Sequence, residues 1–365
     1  MKIIIIGGGP AGLYCASAIK ILNPSFKVSV YEAKNESVNA FGLGYTLQSG
    51  TKGLLAKLDA AFLDSLFPDE KPPLLTRAIV NTDHDSRFFD FADGHGVPRF
   101  QLMRYLRDKA VSLKVSIIEK KVSPAELVPL QKSCDLLIGA DGVNSIVRQK
   151  YAKKFSAIEH TAKIRFSWFY NDSPKPQTDV RFYLRQTPNG VVQLSSYPIS
   201  ETQQVVIIEM ADTCFQAGKF EQQSSDDTIQ YLSTLFTSDE DEISLISTQL
   251  PWFSFKMNST EKLFHKNIAI IGDAAFSFHY SAGVGLNSSF SAAYTLSKCL
   301  TLNQNVNKAL SHFNKVTLMA LRVSIDKSLN DIQWLESIDS HLKDTPQNEL
   351  IDHYLQKNAY KAVAN

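Results

Sequence analysis

The sequence predicts an α/β protein, with a Rossmann-like unit interleaved with an antiparallel sheet and a helical C-terminus. Three observations predict it. The chain opens KIIIIGGGPAGLYCASAIKIL, a continuous apolar run feeding a glycine turn and then helical spacing. Runs between residues 161 and 262 alternate as antiparallel strands do. Beyond residue 284 the pattern is helical.

Taken in order, KIIIIG reads as a strand buried on both faces of a parallel sheet. AGLYCASAIKIL has Leu13, Ala16, Ile19 and Ile21 near one helical face, and KVSVYEA is a second strand, completing a βαβ unit. LLTRAIVNTDHDSRFFDF reads as two strands joined by the turn residues Asp83 to Ser86. PRFQLMRYLRDKAVSL follows as a helix, SIIEKKVS as a strand, and CDLLIGADG as another buried strand. Then come KIRFSWFY, DVRFYLRQ, GVVQLSSYP and QVVIIEMA, with PNG at 188–190 as a hairpin signal. Residues 225–237 read as a surface helix, and IAIIGDAA returns to the buried-strand pattern. A nucleotide-binding unit is expected in three parts, 1–73, 99–160 and 263–300. Strands at 74–98 and 161–262 form the second module, and 301–365 are C-terminal helices.

The bulk numbers narrow the function. At 365 residues the chain suits two domains or one interwoven unit. A net charge of +1 favours neither nucleic acid nor an anionic membrane as partner. Cys15, Cys134, Cys214 and Cys299 lack CxxC spacing and read as buried thiols of a cytoplasmic protein. MKIIIIGGG lacks the longer apolar core of an export signal, and no run approaches the roughly 18 apolar residues of a spanning helix. His84, His95 and His160 show no metal spacing, so no metal is expected.

Gly7-x-Gly9-x-x-Gly12 lies directly between strand and helix, with Pro10 and Ala11 opening the helix. Glycines there permit a tight turn and close approach of backbone to a pyrophosphate. Glu32 stands 20 residues beyond Gly12 at the end of the next strand, where a carboxylate can accept ribose hydroxyls. Dinucleotide binding is the expectation, and this motif alone does not say which dinucleotide.

Later motifs do. CDLLIGADGVNSIVR resembles the Asp-Gly motif of flavin-dependent aromatic hydroxylases, with Asp141, Gly142, Ser145 and Arg148 at matching positions. IAIIGDAAFSFHYSAGVGLN resembles that family's Gly-Asp motif, and Arg99-x-x-Leu102-x-x-x-Leu106 its phosphate-reaching helix. With the N-terminal fingerprint, the chain is similar to the single-component FAD monooxygenases typified by para-hydroxybenzoate hydroxylase. The resemblance implies a Rossmann-like FAD-binding domain interleaved with an antiparallel-sheet substrate domain. It implies FAD as cofactor, NADPH or NADH as co-substrate, O2, and a small aromatic or heteroaromatic substrate hydroxylated through a flavin C4a-hydroperoxide. A monomer or homodimer is expected.

The same resemblance assigns residues. Asp273 would bind the ribityl chain and Arg99 the flavin phosphates, while Gly283, Gly285, Leu286 and Asn287 would open a helix against the flavin pyrimidine edge. FGLGYTLQSG resembles the segment that wraps the flavin ring, with Gly42 and Gly44 allowing close approach. Tyr45 and Gln48 face flavin or substrate there, or belong to an ordinary loop. Asp141 and Arg148 fit a structural clamp better than a cofactor contact.

The family's usual histidine and proline positions are filled differently here, by Phe276 and by His279-Tyr280. HYSAGVG resembles the form in a subgroup including salicylyl-CoA 5-hydroxylase and the violacein-pathway flavin hydroxylase. His279 and Tyr280 are therefore the catalytic candidates. His279 reads as a proton shuttle, a pocket-lining imidazole or a structural residue. Tyr280 reads as packing over flavin or substrate more readily than as a proton donor. Alternation proposes Trp168 and Tyr170, Phe182, Gln193, Ser195 and Tyr197, and Glu209 as inward residues of a substrate roof, without revealing which face is inward. Competing expectations are another flavin reaction on this fold (reductase, oxidase or halogenase) and a non-catalytic flavin-binding protein.

Overall fold

A computed structural model describes residues 1–33, 42–68, 72–172, 178–237, 243–246, 248, 251–280, 283–303, 305–344, 349 and 351. Side chains of 91–93 and 341–344 are outside the description. So are Phe41, Ser281 and Ala282 from the two motif segments, and most of the chain beyond 344.

The opening βαβ unit comprises β1 (Lys2–Ile6), α1 (Pro10–Leu22) and β2 (Lys27–Glu32). After β3 (Gly44–Leu47) come short helices α2 (Ser49–Leu55) and α3 (Phe62–Leu66). The hairpin β4 (Leu74–Asn81) and β5 (Ser86–Pro98) leads into α4 (Arg99–Ser112), β6 (Ser116–Glu119), α5 (Leu127–Lys132) and β7 (Leu136–Gly139). Helices α6 (Ile146–Lys150) and α7 (Ala152–Phe155) precede the long strands β8 (Ala157–Asp172), β9 (Asp179–Thr187), β10 (Gly190–Pro198) and β11 (Gln203–Ala211). Then follow α8 (Asp212–Ala217), α9 (Ser225–Phe236), β12 (Leu245–Ile246), β13 (Phe253–Thr260), β14 (Phe264–His265) and β15 (Ile268–Ile270). Helices α10 (Gly285–Leu302) and α11 (Val306–Asp344) end the described chain.

One sheet has the order β14-β15-β7-β1-β2-β6. Its central strand β1 pairs in parallel with β2 and β7, placing Ile4 opposite both Ser29 and Leu137. Ile3 to Ile6 are buried, as a parallel strand covered on both faces must be. Helices α1 and α10 pack together, with the Tyr14 and Phe290 rings stacked 4.3 Å apart.

The other sheet has the order β12-β8-β11-β10-β9-β4-β5-β3, with β13 also on β8. Strands β8 to β11 pair antiparallel, whereas β4 joins β9 in parallel and so adds the early hairpin to the same sheet. The β3 segment therefore belongs to this sheet's edge, beside β5.

Register fixes which of the alternating residues share a face. Glu209 lies opposite Phe166 and Gln193, Ile207 opposite Trp168 and Ser195, and Val205 opposite Tyr170 and Tyr197. All of these share one face, which packs with Leu43, Tyr280 and Trp334. The opposite face carries Phe169, Tyr183, Leu194 and Ile208, covered by Phe215 of α8 and by Leu232 and Phe236 of α9. Helix α11 lies over the Glu209 face, with Ile332, Trp334, Leu335 and Ile338 in its cluster. Helix α11 runs across β8, β10 and β11, and Asp339 accepts the Val191 N–H (2.8 Å) at the β9–β10 turn. Among the described residues, no helix is long and apolar enough to cross a membrane.

Candidate active site

The N-terminal glycines divide by purpose. Gly7 has φ +104°, and a Cβ there would lie 2.3 Å from the Ala140 carbonyl oxygen; one at Gly12 would lie 2.0 Å from the Gly7 oxygen. Both glycines are demanded by the protein's own packing. Gly9 has nothing within 4 Å of its Cβ position. It N-caps α1 without any side-chain hydrogen bond. An uncapped helix N-terminus beside open space is an anion cradle. At the end of β2, the Glu32 carboxylate accepts the Gly8 N–H, and burial raises its pKa against the pull of that N–H and of Arg107.

The Gly-Asp turn closes on the same helix. Gly272 has φ +60°, and its Cβ position is 2.7 Å from Ala11 Cβ, so the turn rests on the start of α1. Asp273 is exposed, yet surrounding protein desolvates it and lifts its carboxyl to about 6, with Arg99 and Arg148 pulling the other way. An acid that water reaches but protein surrounds lines an enclosed space.

The Asp-Gly segment is the clamp behind that space. Asp141 accepts Ser145 Oγ (2.5 Å) and the Ile146 N–H (2.8 Å). Buried Arg148 donates to the Ala274 carbonyl (3.1 Å), the Val143 carbonyl (2.6 Å) and Glu159 Oε1 (2.7 Å). Asn258, which the sequence reading missed, reinforces it by donating to the Val143 carbonyl (2.7 Å). No motif marks Asn258; only its strand β13 brings it there.

On the opposite rim, Arg99 begins α4 and its backbone N–H donates to the Leu43 carbonyl (2.8 Å). Its guanidinium hydrogen-bonds the Tyr45 hydroxyl and sits 5.3 Å over that ring. Burial lowers its pKa, opposed by Asp273 and Tyr197. Gly283, with φ +63°, donates to the Tyr280 carbonyl (2.9 Å) and turns the chain into α10. Its Cβ position is 3.1 Å from Gln48 Nε2, while Asn287 Oδ1 is 3.0 Å from that of Gly50. Helix α10 also starts without a side-chain cap, and Gly285 has open space around its Cβ position. Leu286 packs against the core.

Gly42 and Gly44 serve the sheet. Trp168 lies 3.1 Å from the Cβ position of Gly42, and the Val97 oxygen and Val205 Cγ2 lie 3.0 Å from that of Gly44. Open glycines, two uncapped helix N-termini and two flanking acids together fit an elongated dinucleotide.

Beside α10, Glu209, Gln193, His279 and Tyr280 form a polar knot in an aromatic wall. Fully buried Glu209 accepts the Tyr280 hydroxyl on Oε2 and the Gln193 amide on Oε1. His279 Nε2 lies 3.3 Å from Glu209 Oε2, and both side chains are wholly buried. Burial, and then Glu209, hold the Tyr280 phenol well above its ordinary pKa. The Tyr280 ring lies 5.2 Å from Phe166 and 5.9 Å from Trp168. Ser328 of α11, also missed by the sequence reading, accepts the His279 backbone N–H (2.7 Å). A serine within a long amphipathic helix gives no local signal.

A family model described as FAD binding domain matches residues 128–312, from α5 into α11. The chain belongs to this FAD-binding domain family. Two relatives of this family member are 25% identical. Salicyloyl-CoA 5-hydroxylase of Streptomyces sp matches over 98% of this chain and 70% of its own length. Protodeoxyviolaceinate monooxygenase of Chromobacterium violaceum matches over 94% and 91%. Among solved structures, 2-methyl-3-hydroxypyridine-5-carboxylic acid oxygenase superposes with a TM-score of 0.70 at 17% identity, covering 98% of this chain and 92% of that one. Klebsiella pneumoniae HpxO, complexed with FAD and uric acid, gives 0.69 at 17% identity, covering 99% and 93%. The fold of this FAD-binding protein is that of the para-hydroxybenzoate hydroxylase type.

Proposed function

We propose that this protein is an FAD-dependent monooxygenase hydroxylating a small aromatic or heteroaromatic molecule, with NADH or NADPH as reductant. The stoichiometry is one O2, one NAD(P)H and one proton consumed, giving hydroxylated substrate, water and NAD(P)+. The observation that carries it is the buried Glu209–Tyr280–His279 knot in an aromatic wall, three residues before the turn that opens α10.

When bound, FAD supplies the reduction of O2 and delivery of one oxygen atom to an aromatic carbon. The N-terminus of α1 at Gly9 would hold the pyrophosphate, Glu32 the adenosine ribose, Asp273 the ribityl chain and Arg99 a phosphate. The N-terminus of α10 would favour negative charge on the flavin's pyrimidine edge. Segments 1–73, 99–160 and 263–300 would then serve FAD, with 74–98 and 161–262 serving substrate. Trp168, Phe166 and Tyr280 offer flat apolar surface to a flat substrate and exclude water. Tyr280 remains a hydroxyl because burial and then the neighbouring Glu209 disfavour its phenolate, and with its proton donated to Glu209 its oxygen would meet the substrate as an acceptor. A proton arriving at that oxygen passes along the existing hydrogen bond to Glu209, beside His279.

The test loads the protein with FAD and follows NAD(P)H oxidation over phenols, indoles, anthranilates and aryl-CoA thioesters. A stimulating compound should yield a product carrying one atom of 18O from labelled O2. Stimulated oxidation with product lacking the label, across every stimulating compound, would sink the proposal.

A further inference from the structure

The charges of the second sheet are sorted by face. On the chamber face of β8 to β11, Glu209 is the buried acid, while Asp172 is exposed at the end of β8. Arg165, Arg181 and Arg185 of the same strands fall at the alternate positions, opposite Met210, Ser196 and Val192. Arg165 pairs with Asp212 (2.7 Å), Arg185 faces Asp83 (3.5 Å) and Arg181 donates to the Tyr183 hydroxyl (3.2 Å), all on the far side. On the rim, Arg99 is engaged by Tyr45 and drawn to Asp273.

The polar atoms of the chamber face are also sorted. The Tyr280 proton is committed to Glu209, so toward any other group its oxygen can only accept. The Gln193 amide nitrogen is committed to Glu209, and Gln193 Oε1 is buried without a hydrogen-bond partner among the described residues. Ser195 Oγ, two residues along β10 on the same face, is likewise buried and unpartnered. Such atoms are costly to bury unless a ligand satisfies them. What the face offers is mainly acceptors, next to a buried carboxyl.

We infer that this chamber selects its aromatic substrate through N–H or O–H donors, received by Gln193 and Tyr280 with Glu209 behind them, and turns away aromatic carboxylates. The substrate class is a neutral or cationic aromatic amine, phenol or N–H heterocycle. This rests on the monooxygenase reading above and narrows its substrate. A carboxylate placed here meets acceptors and a buried acid, with no cation of β8 to β11 facing it. A donor-bearing ring satisfies atoms that are otherwise unpaired, and that difference discriminates strongly.

The experiment uses the FAD-loaded protein and matched pairs, indole with indole-3-carboxylate and 4-hydroxybenzamide with 4-hydroxybenzoate. Binding is read from perturbation of the flavin absorbance. The neutral member of each pair should bind at least about tenfold more tightly. Glu209→Gln, which removes the acid and adds a donor, should bring the pair toward parity while FAD stays bound. Carboxylates binding equally or better in the unmodified protein would overturn the inference and leave the monooxygenase reading standing. An unchanged preference in Glu209→Gln would overturn it as well. Should that variant fail to retain FAD, the comparison in the unmodified protein decides alone. FAD-loaded protein that binds neither member of any pair overturns both readings.

Discussion

Tyr280 donates its hydroxyl proton to Glu209, a residue 71 positions earlier that is wholly buried in the second sheet. That bond joins the turn before α10 to strand β11, and His279 stands 3.3 Å from the same carboxyl oxygen. The three groups share one buried charge site, so they should behave as a unit.

Tyr280→Phe leaves Glu209 Oε2 without its hydroxyl donor, and His279→Ala removes the imidazole beside it. Each should lower turnover by about 10–100-fold with FAD affinity little changed. A double-mutant cycle on turnover and on unfolding free energy should show coupling of about 1 kcal/mol or more. Strict additivity would mean the three groups act independently.

Gly9 and Gly12 should separate cofactor binding from folding. Gly9 has φ −71° and ψ −177°, which alanine adopts freely, and its Cβ position is open. Gly9→Ala should hold or raise apoprotein stability by about 0.5 kcal/mol while weakening FAD binding about tenfold or more. Gly12→Ala drives a Cβ to 2.0 Å from the Gly7 oxygen and should destabilise the apoprotein by about 3 kcal/mol. Chemical denaturation and FAD titration of both variants check this.

Asp273 gives a pH signature. Its carboxyl is raised from 3.8 to about 6 in the folded apoprotein, so the folded state binds more protons between those values. The cost of the charged acid is therefore full above about pH 6 and absent below 3.8. Asp273→Asn should raise the apoprotein Tm at pH 7.5, and the gain should vanish as pH falls through that window. With FAD the sign reverses, because a charged acceptor for polyol hydroxyls is lost, and affinity should drop about 10–100-fold. Paired thermal melts with and without FAD would expose a wrong sign.

Arg148→Met should unfold the clamp. The buried guanidinium serves the Ala274 and Val143 carbonyls and Glu159, and methionine serves none of them. The expected loss is about 3 kcal/mol in urea denaturation. FAD should also dissociate faster, because the Gly-Asp turn loses its support.

Much of this site was legible in the sequence because its signals are local. A glycine turn between an apolar strand and a helix is built from neighbours in the chain, so Gly7, Gly12 and Glu32 could be placed from spacing alone. Period-two alternation likewise grouped Trp168 with Tyr170, and Gln193 with Ser195 and Tyr197. The same alternation marked Glu209 in QVVIIEMA.

What alternation could not supply was the face, because a strand's two sides are equivalent until something covers one. Phe215, Leu232 and Phe236 of α8 and α9 cover the arginine side, while Tyr280 and Trp334 pack on the side of Glu209. The roles of Gly42 and Gly44 were decided the same way, by Trp168 and Val205 arriving from distant strands. By itself the sequence determined the nucleotide fold, the ordered motifs and the residue types available for chemistry. Tertiary structure decided that His279-Tyr280 meets a buried carboxyl, and that Ser328 and Asn258 hold the surroundings. Those contacts join residues from 49 to 115 positions apart, and only the packed sheet and helices bring them together.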